Sequence, residues 1–135
     1  MNEGLLILGA ALLGIAAIIH VVIFMLESVL WSRPSVWRLF GLRTEEAAAI
    51  VRPMAFNQGF YNLFLAIGIV VGLVLIVATP AEQAGIALLL ASGISMVLAA
   101  TVLIIFSPKL ARAAAIQGLV PLFGVALIAV SLLVQ

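Results

Sequence analysis

The chain has 135 residues, of which 67% are hydrophobic and 8% are charged, and its formal net charge at pH 7 is +1. Soluble globular domains are typically about 45–50% apolar and about 25% charged, so this composition excludes that class and predicts one integral membrane domain over residues 1–135. The absence of cysteine and aspartate, with a single histidine, argues against disulfides, a thiolate nucleophile and a multi-ligand metal site, and the small net charge argues against nucleic acid binding.

The first apolar segment, residues 4–31, predicts a membrane-spanning helix, which needs about 20 apolar residues. It contains His20 and Glu27, which are seven residues apart and therefore share a helical face, about 10 Å apart along the axis. An ionisable group costs about 2.5–3.5 kcal/mol near the centre of a membrane. We therefore expect both side chains to face a polar interior of the bundle, where function would be located.

A polar connection follows, beginning at Ser32-Arg33-Pro34, because proline disfavours helix at the residue before it. Within this connection Thr44 is typical of an N-cap, followed by Glu45 and Glu46 at the positive end of the helix dipole. The pattern predicts a short amphipathic interfacial helix over residues 44–52. Trp31 and Trp37 suit the headgroup region of a membrane.

Three further apolar segments predict membrane-spanning helices over residues 54–78, 80–106 and 108–134. The third helix is introduced by Thr79-Pro80-Ala81-Glu82, which has the form of a capping box with proline at the first helical position. The fourth begins at Ser107-Pro108. The predicted fold is therefore all-α, a four-helix transmembrane bundle with the interfacial helix between its first two spans.

The basic residues predict the orientation of this bundle. They lie in the first connection and around the end of the third span, at Arg33, Arg38, Arg43, Arg52, Lys109 and Arg112. By the positive-inside tendency that side is cytoplasmic. We expect a multi-pass protein, of the inner membrane if it is bacterial, with both termini outside and the first and third connections in the cytoplasm.

Polar side chains of the second and fourth helices fall in the same cytoplasmic half of the predicted bundle. They are Asn57, Gln58, Tyr61, Asn62 and Gln117. Residues four apart share a helical face, as do Gln58 and Asn62, and Gln117 would lie at a depth of about 13 Å. These side chains are candidate ligand-binding residues, and His20 and Glu27 are the candidate catalytic residues.

The same residues allow structural interpretations. Asn and Gln in membranes often bridge helices, at about 0.6 kcal/mol per hydrogen bond. Glu27 could reach the membrane surface or pair with Arg33 or Arg52, and His20 could be a neutral imidazole bonded to Asn62 or to a hydroxyl of the third helix.

Several motifs resemble one family. They are His20, Leu26-Glu27, Trp31, Phe40-Gly41-Leu42, the stretch Asn57-Gln58-Gly59-Phe60-Tyr61-Asn62 with Phe64-Leu65-Ala66, and Gln117-Gly118 followed by Pro121. Together they resemble the small membrane proteins of domain-of-unknown-function family 1304 (DUF1304). The resemblance covers most of the chain and implies a four-helix membrane protein with His20, Glu27, Asn57, Gln58, Asn62 and Gln117 as signature positions. It implies no activity.

Three functions remain open from the sequence. One is an enzyme that transforms a small lipophilic molecule by acid–base chemistry, for example an isomerase or hydratase, which needs no cofactor. The second is a binding or transport component, which with four helices would need to form a homo-oligomer. The third is an accessory subunit with a purely structural polar cluster. His20 is also the only histidine that could ligate haem, although no other feature supports haem.

Overall fold

The computed structural model describes residues 1–134, and in that part of the chain every regular element is helical. The first helix, α1, spans Glu3–Phe24 and continues into a π-helical turn, Met25–Val29. It is followed by α2 (Pro34–Leu39), α3 (Glu45–Ala78) and α4 (Glu82–Phe106). A 3₁₀ turn, Pro108–Leu110, then leads into α5 (Ala111–Leu133). The predicted all-α class is confirmed.

Four helical segments are long and apolar enough to cross a membrane. These are Glu3–Val29, Glu45–Ala78, Glu82–Phe106 and Pro108–Leu133. They pack in the cyclic order α1, α3, α4, α5, so that each long helix contacts two neighbours. The centre of the bundle is filled by fully buried apolar side chains from all four helices, namely Leu13, Ile69, Leu89, Met96 and Ile128.

Close contact between α3 and α4 depends on paired glycines. A Cβ atom added to Gly85 would lie 2.7 Å from the Gly72 carbonyl oxygen, a distance that only movement of the backbone could relieve. The sequence Gly68-x-x-x-Gly72 therefore packs helices together, as small residues do in membrane bundles.

One end of the bundle carries all six basic residues, and we call it the basic end. It is formed by the connections on either side of α2, the start of α3 and the 3₁₀ turn between α4 and α5, with Arg33, Arg38, Arg43, Arg52, Lys109 and Arg112. The opposite end contains the N-terminus, the α3–α4 connection and the end of α5.

The connection between the first two long helices differs from the prediction. Thr44 does cap a helix, because its Oγ1 accepts a hydrogen bond from the Ala47 amide at 3.2 Å. That helix is α3 itself, which continues through Pro53 to Ala78, so residues 44–52 do not form a separate interfacial helix. The short helix of this region is α2, which lies ten residues earlier and buries Val36 and Trp37.

The two tryptophans, predicted for the headgroup region, are both buried within the protein. Trp31 and Trp37 pack with Val36, Ala48 and Ala55 into a second apolar cluster at the basic end. Trp31 Nε1 donates a hydrogen bond to the Ala48 carbonyl at 3.0 Å, which ties the end of the first long helix to the start of α3. The α2 region is thus packed onto the basic end of the bundle.

The start of α4 also differs in detail. Its first residue is Glu82, and Thr79 is instead the residue that ends α3. Thr79 Oγ1 donates to the Leu75 carbonyl and accepts from the Ala81 amide. The threonine therefore stabilises a turn between two helices and does not form the predicted capping box.

Candidate functional site

The first long helix changes its winding near the basic end. The Leu30 amide donates to the Met25 carbonyl at 2.8 Å, which is the five-residue spacing of a π-helix. Such turns are rare and are often found at functional sites. Glu27 lies at the middle of this turn and is 8% exposed.

Glu27 has an amide partner on α3. Its Oε2 accepts a hydrogen bond from Asn62 Nδ2 at 3.0 Å, so Glu27 meets one of the polar residues predicted for the same half of the bundle. The second Nδ2 hydrogen of Asn62 is donated to the Gln58 carbonyl at 3.1 Å. Both donors of the amide are therefore used, so its orientation toward Glu27 is fixed.

A cleft of about 260 Å³ lies beside Glu27. Its other lining residues are mostly apolar or aromatic: Trp31, Phe40, Leu42, Val51, Met54, Ala55 and Gln58. No lysine or arginine is among them, and Glu27 is the one ionisable side chain of this lining. The cleft therefore combines an apolar wall with a single acid, which is the usual character of a small-molecule site.

Aromatic residues hold the wall of the cleft in place. The rings of Trp31 and Phe40 lie 5.3 Å apart between their centroids, and the hydrogen bond to Ala48 fixes the indole. Gly41 follows Phe40 with a φ of +82°, a conformation that favours glycine, and it reverses the chain after α2. This turn brings both Phe40 and Leu42 to the cleft.

The π-helical turn is also fixed to α3 on its other side. Ser28 Oγ donates to the Phe56 carbonyl at 2.8 Å. Gly59 lies against this contact, because a Cβ atom added there would lie 3.1 Å from Glu27 Cβ and would collide with the Ser28 hydroxyl. Nearby, the rings of Phe24 and Phe60 meet edge to face with their centroids 5.1 Å apart.

His20 is buried on the same face of the first helix as Glu27, as predicted, but it is outside the cleft lining. Its Nδ1 is 2.9 Å from the Ala16 carbonyl oxygen in its own helix. The predicted alternatives, a bond to Asn62 or to an α4 hydroxyl, are not the one formed. The hydroxyls of Ser95 and Thr101 instead donate to carbonyls of α4 itself.

The other predicted binding residues do not all converge. Asn57, Gln58 and Tyr61 are all exposed on α3, and of the three only Gln58 lines the cleft. Gln117 is half-buried on α5. Helix α5 runs antiparallel to α1 and meets it where Gly124 faces Leu13, since a Cβ atom added to Gly124 would lie 2.9 Å from Leu13 Cγ. Gln117 comes as far before Gly124 as His20 comes after Leu13, so Gln117 lies near the level of His20, deeper than the cleft.

The sequence indicated no site role for the apolar residues of the cleft or for Ser28. Trp31 and the Phe40-Gly41-Leu42 motif were visible as motifs, but no sequence signal predicted the π-helical turn or the contact of α2 with α3. Within residues 1–134 no group of three or more His, Asp or Glu side chains could hold a metal ion.

A family model described as "Protein of unknown function (DUF1304)" matches residues 14–130. The chain belongs to this family. All residues of the cleft fall inside the matched region of this DUF1304 protein. No curated protein and no solved structure matches the chain.

Proposed function

We propose that this DUF1304 protein is a multi-pass membrane protein that binds a small lipophilic molecule in the cleft at its basic end and exchanges a proton with it through Glu27. The observation that carries the proposal is a buried carboxyl group held by one amide beside an apolar cleft of about 260 Å³. Sites for drug-sized ligands measure about 300–1,000 Å³, so the occupant would be small.

The geometry supports separate roles for the polar residues of the cleft. Glu27 would give or take the proton, since it is the ionisable group of the lining. Asn62 would fix the position of that carboxyl group, and Gln58 would hold a polar atom of the ligand. Isomerisation or hydration would be compatible with these groups. His20 lies outside the lining, so it would not contact the ligand directly.

Trp31 offers a direct measurement of occupancy, because it lines the cleft whereas Trp37, the other of the two tryptophans, is not part of the lining. In the Trp37→Phe variant in lipid nanodiscs, the small neutral quenchers 4-bromoacetophenone and 4-bromobenzyl alcohol should quench Trp31 fluorescence. For at least one of them, part of the quenching should saturate and be reversed by the unbrominated compound. Quenching by molecules dissolved in the lipid would be linear and would not be reversed.

The matched control is Trp31→Phe, in which Trp37 reports and no saturable component is expected. If neither of these quenchers, nor a positively charged quencher of similar size, gives a saturable component with Trp31, the cleft is not a binding site. The polar cluster would then be structural, and the protein would be better described as an accessory subunit.

The role of Glu27 is tested by Glu27→Gln, which keeps the size of the side chain and its hydrogen bond to Asn62 but removes the exchangeable acid proton. We expect a folded protein in which binding is lost or turnover is abolished. His20→Ala should have no comparable effect on occupancy of the cleft, because His20 is outside its lining. Loss of saturable quenching in His20→Ala alone would instead place the ligand deeper in the bundle.

A further inference from the structure

We infer that the ligand of the cleft is a small lipophilic cation, such as an alkylammonium ion, which binds to the Glu27 carboxylate and displaces its proton. This inference rests on the proposed function and names the chemical class of its ligand; the proton of Glu27 then passes to water when the cation binds, rather than to the ligand itself. It depends on three properties of the lining: its single acid, its two aromatic rings and its lack of any basic side chain.

The carboxyl group of Glu27 has no cationic partner within the cleft. It accepts a hydrogen bond from the neutral amide of Asn62 at 3.0 Å. One amide compensates only part of the cost of burying a carboxylate. Buried charges in proteins are usually paired, and a buried carboxyl group without a partner remains protonated. A cation entering the cleft would supply the missing charge.

The aromatic side chains fit the same occupant. The rings of Trp31 and Phe40 both line the cleft and lie 5.3 Å apart, inclined at 51° to each other. Two inclined rings beside an acid form the corner of an aromatic cage, the arrangement that recognises quaternary ammonium groups. The remaining walls, Leu42, Val51 and Met54, would contact the apolar part of the ligand.

The other charged groups near Glu27 are arranged so that none neutralises it inside the cleft. Arg43 before α3 and Arg52 on α3 are exposed, and neither lines the cleft. Arg38 on α2 lies over the Trp37 ring, 5.3 Å from its centroid, and Arg33 is exposed. His20 on the first helix lies two turns away from Glu27, bonded to Ala16.

The exchange is balanced: Glu27 loses one proton to water as one cation binds.

A pair of isosteric quenchers tests the inference. The cation 4-bromobenzyltrimethylammonium and the neutral 1-bromo-4-neopentylbenzene differ in one atom, nitrogen for carbon, and both can be measured by quenching of Trp31 in the Trp37→Phe protein. The cation should bind at least about tenfold more tightly, the factor that 1.4 kcal/mol provides. Glu27→Gln should remove that preference, and Phe40→Leu should reduce it. Glu82→Gln, at the opposite end of the bundle, should leave it unchanged.

The cation has a fixed charge, so any pH dependence of its binding arises from ionisable groups of the protein. Its affinity should rise with pH and then level off as Glu27 loses its proton, and binding below that plateau should release one proton per cation into a weakly buffered solution. The neutral compound should show neither effect. If the neutral compound binds as tightly as the cation, the inference is wrong and the proposed function stands. If neither compound quenches Trp31 saturably, the inference is wrong, and if the ketone and the alcohol named above also fail to do so, the proposed function is wrong as well.

Discussion

At the scale of single residues, the contact between Glu27 and Asn62 is the unusual feature of this protein. Both side chains are buried in long, mostly apolar helices, at 8% and 7% exposure. The amide uses one hydrogen for the Glu27 carboxyl oxygen and the other for a carbonyl of its own helix. Within residues 1–134 every fully buried side-chain nitrogen or oxygen atom has a hydrogen-bond partner, so removal of either Glu27 or Asn62 would leave the other without this one.

This pairing predicts losses of stability of different size for two substitutions. Asn62→Ala removes the donor and leaves Glu27 without its amide, so we expect the free energy of unfolding to fall by about 1–3 kcal/mol. Glu27→Gln keeps an oxygen that can accept from Asn62, and we expect a much smaller change. Thermal unfolding of both variants in the same detergent checks this. Equal destabilisation would mean that glutamine at position 27 does not keep the contact with Asn62, so that the carboxyl group itself is needed to stabilise the bundle.

The residue-scale prediction from the sequence was partly right, and the reason is geometric. Spacing within one helix is fixed, so the shared face of His20 and Glu27 and the shared face of Gln58 and Asn62 could be read from the sequence. Which of two stripes on α3 faces the neighbouring helix depends on packing between helices. Of the three exposed residues of α3 predicted to bind ligand, Gln58 lines the cleft and Asn57 and Tyr61 lie outside its lining.

At the scale of elements, the π-helical turn packs closely against α3 because Gly59 has no side chain. Gly59 allows Ser28 to reach the Phe56 carbonyl and Glu27 to approach α3. The extra residue of the π-helical turn alters the direction of the side chains that follow it. The site is therefore a product of the contact between two helices, and neither helix alone contains it.

Substitution of Gly59 should separate these helices. Gly59→Ala places a Cβ atom against Ser28 and 3.1 Å from Glu27 Cβ, so we expect a less stable protein, although alanine in a helix is favoured over glycine by about 1 kcal/mol. In the control Gly14→Ala the new Cβ atom would lie 3.7 Å from Leu73, an ordinary contact, and stability should hold or rise. Adding Ser28→Ala to Gly59→Ala should restore part of the loss. No rescue would show that the hydroxyl is not the obstacle.

The extent of α3 shows what local sequence signals cannot decide. Residues 44–52 and 54–78 were predicted as separate helices, on either side of Pro53, which cannot donate a hydrogen bond within a helix. In the structure α3 passes through it, because Ala48 and Ala55, on either side of the proline, pack into the cluster with Trp31 and Trp37. Contacts between distant residues outweigh the local preference, and these contacts were not visible in the sequence.

At the scale of the whole molecule, length and charge agree on which end of the bundle lies outside the bilayer core. The 34 residues of α3 extend about 50 Å at about 1.5 Å per residue, whereas a hydrocarbon core is about 30 Å thick. The surplus includes the first turns of α3, which carry Glu45, Glu46 and Arg52 at the basic end. The α2 region packs against these same turns, so the cleft would lie near the membrane surface.

We therefore predict that the basic end is cytoplasmic, because the basic residues lie there and such residues are retained on the cytoplasmic side. The chain has no cysteine, so single cysteines can be introduced without removing others. Ser35→Cys marks the basic end and Gln83→Cys the opposite end, and both positions are exposed. Buried Val36 would be a poor choice because a reagent could not reach it. In intact cells a membrane-impermeant maleimide should label Gln83→Cys, and Ser35→Cys should react only after the membrane is made permeable. Labelling of Ser35→Cys from outside would reverse the orientation and place the mouth of the cleft on the outer side.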